Sequence, residues 1–216
     1  LGYRLCKMKI GGADLETDRR RIEWALSVVG DGDNLAVDAN GRFGLDEALA
    51  YGRMVAEFGL CWFEEPVDPL DYRAHAVLAD ELDVDIATGE NLFSVQDYRN
   101  LLRHGGLRPT RDWLQPDPAL AYGLTECLEI IALAEAMGWS RSRVVPHGGH
   151  QMGLHMAIGL GLGGTESYPG VFRPYGGFAD AAEIVNGLIK PPQEPGLGIE
   201  AKSELFADIQ RNLGID

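Results

Sequence analysis

The 216-residue sequence contains no block of positive charge longer than Arg19-Arg20-Arg21, and its formal net charge is −14. Nucleic acid and anionic membrane surfaces are therefore excluded as partners, because both would repel the chain. Cysteine is scarce as well. Cys6, Cys61 and Cys127 stand apart in apolar surroundings with no C-x-x-C pair, which excludes a disulfide framework, leaves buried reduced thiols and points to a cytoplasmic address. No apolar run suits a membrane: the longest, 152–164, is interrupted by His155 and loaded with glycine. The first residues carry no signal-peptide pattern. What is present, 45% hydrophobic and 24% charged residues, fits one globular domain over 1–216. The chain opens at Leu1 rather than Met and enters a two-lysine strand within a few residues, which predicts a missing amino-terminal portion.

Short strand-like runs recur at 5–10, 35–38, 60–64, 84–90, 113–117 and 144–147, and helical spacing fills the intervals. Ile22, Ala25, Leu26 and Val29 share one helix face, as do Leu124, Cys127, Leu128 and Ile131 in a helix from Tyr122. Gly30 and Gly138 mark the two stops. A third helix starts at the capping pattern Ser94-Val95-Gln96-Asp97 and ends at Gly105. Alternating strands and helices mean an α/β fold, either an open doubly wound sheet or a (β/α) barrel. Polar residues end the runs at Lys9, Asp38, Glu64, Glu90, Asp117, His147 and Glu166, about one strand-helix unit apart. In a barrel these ends converge on one mouth, whereas an open sheet spreads them along its width. The barrel is favoured, with seven strands visible and the first of eight missing.

Asp38, Glu64 and Glu90 would form an all-oxygen site for a hard cation, for which Mg²⁺ fits best. Glu64 and Glu65 are adjacent and point to opposite faces, so one of them enters the mouth, and the pattern does not say which. Lys7 and Lys9 project to one face, where like charge and burial would lower a lysine toward use as a base. His147 leaves a strand before Gly148-Gly149. Asp117, one strand earlier, is placed to accept from its second nitrogen. The spacing of His147, His150 and His155 matches no common zinc pattern. Residues 159–164 satisfy G-x-G-x-x-G, but no βαβ unit follows, so close packing of a helix on the barrel is the better reading.

The ordered motifs K-M-K, V-D-A-N, E-E-P, G-E-N, Q-P-D-P and P-H-G-G-H resemble the mandelate racemase branch of the enolase superfamily over essentially the whole chain. The resemblance implies an enolase-type C-terminal barrel here without its N-terminal α+β capping domain and first strand. It implies Mg²⁺ on Asp38, Glu64 and Glu90, Lys9 as catalytic base, and an Asp117–His147 dyad. Glu166, Lys7 and Asn40 would bind a small hydroxy-acid substrate, with Lys7 also lowering the pKa of Lys9. A homo-oligomer is implied too. The runs 146–152, 166–169 and 176–180 narrow the likeness to tartrate-dehydrating members of that branch. Dehydration would have Lys9 remove the α-proton and His147 protonate the departing hydroxyl; racemisation would use the same pair without a leaving group.

Overall fold

The computed structural model describes residues 1–215. Five parallel strands form one sheet in sequence order: β1 (Cys6–Lys9), β2 (Leu35–Asp38), β3 (Trp62–Glu64), β4 (Ile86–Thr88) and β5 (Trp113–Leu114). Each is followed by a helix, namely α1 (Leu15–Val29), α2 (Leu45–Ala56), α3 (Tyr72–Glu81), α4 (Val95–His104) and α5 (Leu124–Ala136). Two more, α6 (Gln151–Leu160) and α7 (Ser203–Leu213), complete the α-helices described. None of the described helices is long and apolar enough to cross a membrane.

Local chemistry sets the helix ends. Asp14 caps α1 by accepting from Thr17 N–H at 2.8 Å, and Gly30, at φ 86°, stops it. Ser94 caps α4 as its sequence predicts, accepting from Asp97 N–H at 3.2 Å, while Glu126 of α5 takes the Val95 N–H at 2.6 Å. The α5 helix starts two residues later than the periodicity suggests. Tyr122 and Gly123 both have positive φ, 54° and 87°, which no right-handed helix accommodates.

The sheet separates two apolar regions, and side-chain alternation decides which residue goes where. Val37, Phe63, Ile86 and Leu114 face outward and pack with helix residues such as Ile22, Tyr51, Leu78 and Leu101. Ala36, Trp62 and Ala87 face inward with Leu5 and Trp113, and the Trp62 and Trp113 rings lie 5.3 Å apart. Small residues on β2 and β4 make room for the two indoles.

Closure of this sheet into a ring is visible at its ends. Lys7 of β1 donates to Glu166, which lies beyond β5 and α6. Nearby, the Tyr3 and Ser167 hydroxyls are 2.7 Å apart, and Gly187 N–H donates to Leu1 O at 3.1 Å. A flat open sheet would hold these segments at opposite edges, so the barrel reading stands. The sixth and seventh strands, however, do not form as regular strands. Residues 144–147 make one parallel bridge, Leu114 with Val144, and progress by single bonds such as Val145 N–H to Leu114 O at 2.9 Å. Pro116 and Pro146 supply no N–H at the points where a ladder would continue. Glu166 follows in the same manner, its N–H donating to Pro146 O at 3.2 Å.

Away from the strand ends that carry the motifs, a polar clamp joins the loops before β4 and β5. Asp112 is fully buried. It accepts from Ile86 N–H at 2.8 Å and from the Arg108 guanidinium at 2.7 and 3.0 Å, while Arg108 also donates to Leu82 O and Val84 O at 3.2 and 2.7 Å. Replacing Asp112 by Ala strands both Arg108 and the β4 amide. We expect Asp112→Ala to lower unfolding free energy by about 3 kcal/mol, the low end for breaking a buried pair. Urea denaturation checks this, and a loss below about 0.5 kcal/mol, the level of an ordinary surface change, would refute it.

Candidate active site

Asp38 ends β2, Glu64 ends β3 and Glu90 lies two residues past β4. Lys9, Asp38 and Glu64 are successive partners in the parallel ladder, so register alone brings them side by side. Glu90 arrives by a turn at Gly89. There φ is 133°, and a Cβ would fall 2.2 Å from the Tyr98 hydroxyl, so only glycine lets the chain pass. One carboxylate oxygen from each of Asp38, Glu64 and Glu90 lies within 4.8 Å of the others, and all three residues are buried.

Each acid is held from behind. Glu64 Oε2 accepts from the Trp62 indole and the Gln115 amide, both at 2.8 Å. Trp62 stands two residues before Glu64 on one strand face, which is why its N–H points the same way. Asp38 Oδ1 accepts from Asn40 N–H at 2.8 Å, and the Asn40 side-chain amide donates to Glu90 Oε1 at 3.0 Å. Asn40, expected to bind substrate, thus spends its amide on an acid of the cluster. Glu90 Oε2 is buried and accepts no hydrogen bond. An orphaned hard oxygen beside two more carboxylates is the donor set of a small divalent cation.

The Glu64/Glu65 ambiguity resolves in favour of Glu64. Glu65 turns away with φ at 37° and accepts from the Asn91 amide at 2.7 Å. Burial, then the neighbouring Glu90 carboxylate, pushes its carboxyl up to about 7.

Lys7 donates to Glu64 and Glu166 and lies 3.4 Å from Asp38. Burial works against its charge, but Glu64, Glu166 and Asp38 together raise its pKa. Lys9 donates to Asp38 with its side chain 59% exposed to the mouth. Both lysines do share one face. Lys7, however, spends its positive charge on three carboxylates.

Across the cluster, His147 Nδ1 bonds to Asp117 Oδ2 at 2.7 Å. Its Nε2 lies 3.3 Å from Glu90 Oε2 and 3.8 Å from Glu166 Oε2. Burial opposes the imidazolium, yet the Asp117 hydrogen bond and the Glu166 and Glu90 charges raise the pKa. For Asp117, burial is outweighed by bonds from His147 and His150, which hold it below the usual carboxylate range. Glu166 Oε2 accepts from Tyr168 Oη at 2.6 Å and from Gly148 N–H at 2.8 Å.

The residues expected in the site therefore converge: Lys7, Lys9, Asp38, Asn40, Glu64, Glu90, Asp117, His147 and Glu166. Sequence reasoning missed the supports Trp62, Gln115, Tyr168 and His150. Trp62 carried a usable signal, its i−2 spacing from Glu64; Gln115 and Tyr168 stood inside the quoted motifs without an assigned part. The histidine trio does not assemble as a zinc site, since His147 and His150 both face Asp117 while His155 Nε2 is buried without a partner. The glycine run closes α6 at Gly161 instead of opening a helix. A cavity of about 470 Å³ lined by Ser167, Arg173, Lys202 and Glu204 includes none of the clustered acids.

A family model described as "Enolase C-terminal domain-like" matches residues 1–205. The chain belongs to this family. This enolase C-terminal domain is 32% identical over 198 residues to a 3,6-anhydro-alpha-L-galactonate cycloisomerase of Streptomyces coelicolor, covering 92% of the chain and 53% of the relative. It is 32% identical to an arabinonate dehydratase of Saccharolobus solfataricus, covering 96% of the chain and 56% of the relative. Among solved structures it resembles L-talarate dehydratase from Polaromonas sp. JS666 complexed with Mg and L-glucarate, with a TM-score of 0.78 and 33% identity, over 91% of this chain and 53% of that one. The domain thus spans about half the length of the curated relatives it matches.

Because Gln115 supplies one of two donors to Glu64 Oε2, Gln115→Leu should weaken divalent-cation binding about 10–100-fold, the usual cost of losing a partner behind a metal ligand. Calorimetric titration with Mg²⁺ measures it, and wild-type affinity in the variant would refute the role.

Proposed function

We propose that this domain is the catalytic barrel of a Mg²⁺-dependent acid-sugar dehydratase whose substrate is D-tartrate, converted to oxaloacetate and water. The observation that carries the reading is the bracketing of the acid cluster: Lys9 meets it at Asp38 and His147 meets it at Glu90, from opposite ends. Asp38, Glu64 and Glu90 would hold the cation. Bound there, Mg²⁺ would neutralise the charge that develops on the substrate carboxylate as the α-proton leaves.

The protein's own groups then divide the proton work. Lys9 Nζ, as the neutral amine, takes the α-proton from one face and becomes the ammonium. His147, its Nδ1 committed to Asp117, presents Nε2 and gives its proton to the β-hydroxyl as the C–O bond breaks, so water departs. The enol left behind tautomerises to the 2-keto acid. Lys7 is placed to hold the substrate carboxylate by charge, and Glu166, taking up a proton as substrate binds, would donate a hydrogen bond to its other oxygen.

Support for the finer substrate assignment comes from the packing of three stretches. Gly177 N–H donates to Gly149 O at 2.8 Å, Ala179 N–H donates to Gln151 Oε1 at 3.0 Å, and Gly148 N–H binds Glu166. The runs 146–152, 166–169 and 176–180, on which the proposed tartrate assignment rests, therefore pack against one another beside Glu166. The half-length match supports a preceding capping domain in the working enzyme, which we take to be a cytoplasmic homo-oligomer.

The deciding experiment is keto-acid formation with Mg²⁺ and a panel of acid sugars that contains every tartrate isomer. Product from D-tartrate is expected, and Lys9→Ala should abolish it. Activity on a different acid sugar would displace the substrate assignment. Deuterium entering the α-carbon from heavy water without keto product would favour a racemase, the other use of this lysine and histidine.

A further inference from the structure

We infer that His150 is a positioning residue, locked in its Nε2–H tautomer by the first turn of α6 so that it fixes Asp117 and, through it, His147. The inference rests on the proposed part of His147 in proton transfer. His150 is the N-cap of α6. Its Nδ1 accepts from Gly153 N–H at 3.2 Å, while its backbone carbonyl accepts from Leu154 N–H at 3.1 Å. A backbone amide is always a donor, so Nδ1 must present its lone pair and the ring proton of the neutral imidazole must sit on Nε2. That nitrogen lies 3.1 Å from Asp117 Oδ1. Asp117 receives an N–H there for a structural reason unrelated to the proton work of the mouth.

The two oxygens of Asp117 then have separate duties. Oδ1 accepts from His150, from Ala119 N–H at 2.7 Å and from Leu120 N–H at 3.3 Å. Oδ2 is left to His147 Nδ1 at 2.7 Å. An ionised carboxylate only accepts, so His147 must donate through Nδ1 and turn Nε2 toward Glu90 and Glu166. Gly148 makes the arrangement possible. At φ 95° it lets the chain fold back between the two histidines, and a Cβ there would meet His150 Cδ2 at 2.6 Å and Asp117 Oδ2 at 2.9 Å. The P-H-G-G-H motif is thus one device: a proton carrier, a hairpin of glycine, and a helix cap that braces the carrier's partner.

Nitrogen NMR of the imidazoles tests the tautomer directly, with a protonated Nε2 and a bare Nδ1 expected at His150. The variant His150→Asn separates capping from positioning. Asparagine is among the best N-caps, so α6 is retained, but its short amide does not reach Asp117. The His147 Nδ1–H resonance should move in this variant, and kcat should fall about 10-fold or more with KM little changed. A protonated Nδ1 at His150, or an unmoved His147 resonance in the variant, overturns the inference. If the wild-type enzyme turns over no acid sugar, the proposed function fails, while both NMR measurements still decide the positioning.

Discussion

The structure depends on the ammonium group of Lys7. It lies between Glu64 and Glu166, one in the sheet and one beyond its far end, so one side chain helps to join the two ends and compensates the acids beneath the mouth. Two carboxylates about 5 Å apart repel by roughly 3 kcal/mol at an effective dielectric near 20. Asp38, Glu64 and Glu90 crowd to within such distances, and Lys7 meets the first two. The repulsion is tolerable only because cations are built in among the acids, and it also explains why a divalent ion belongs there.

Much of this was legible in the chain because strands alternate and their ends carry chemistry. Asp38, Glu64 and Glu90 could be found one per strand-helix unit, and Lys7 with Lys9 could be put on one face by parity alone. The cap at Ser94 announces its helix through an ordinary polar side chain. The rest was hidden for physical reasons. Pro116 and Pro146 reduce the later strands to isolated bonds although their hydrophobic runs look complete. Glu64 and Glu65 are both buried, so polarity could not rank them. His150 serves a helix end and a carboxylate at once, and a linear pattern shows neither partner.

Stability and chemistry are kept at different ends of the sheet. The Arg108–Asp112 clamp and the tilted pair of indoles of Trp62 and Trp113 fill and tie the region beneath the acid cluster. Trp62 alone belongs to both, its ring in the inner core and its N–H on Glu64. Rigidity is thereby passed upward from packing to a single carboxylate oxygen, while the other oxygen of Glu64 faces the Lys7 ammonium in the cluster.

The consecutive pairing of Lys9, Asp38 and Glu64 along the ladder has a consequence for inheritance. A one-residue insertion or deletion inside β1, β2 or β3 would exchange inward and outward side chains, burying a carboxylate among the outer helices and pushing valine or phenylalanine into the mouth. Such a change would disrupt both the core and the row of acids. Length variation is left to the segments after each strand, which border the mouth without altering the register. Descendants of this barrel can therefore reshape the rim of the mouth far more readily than the row of lysine and acids at its floor.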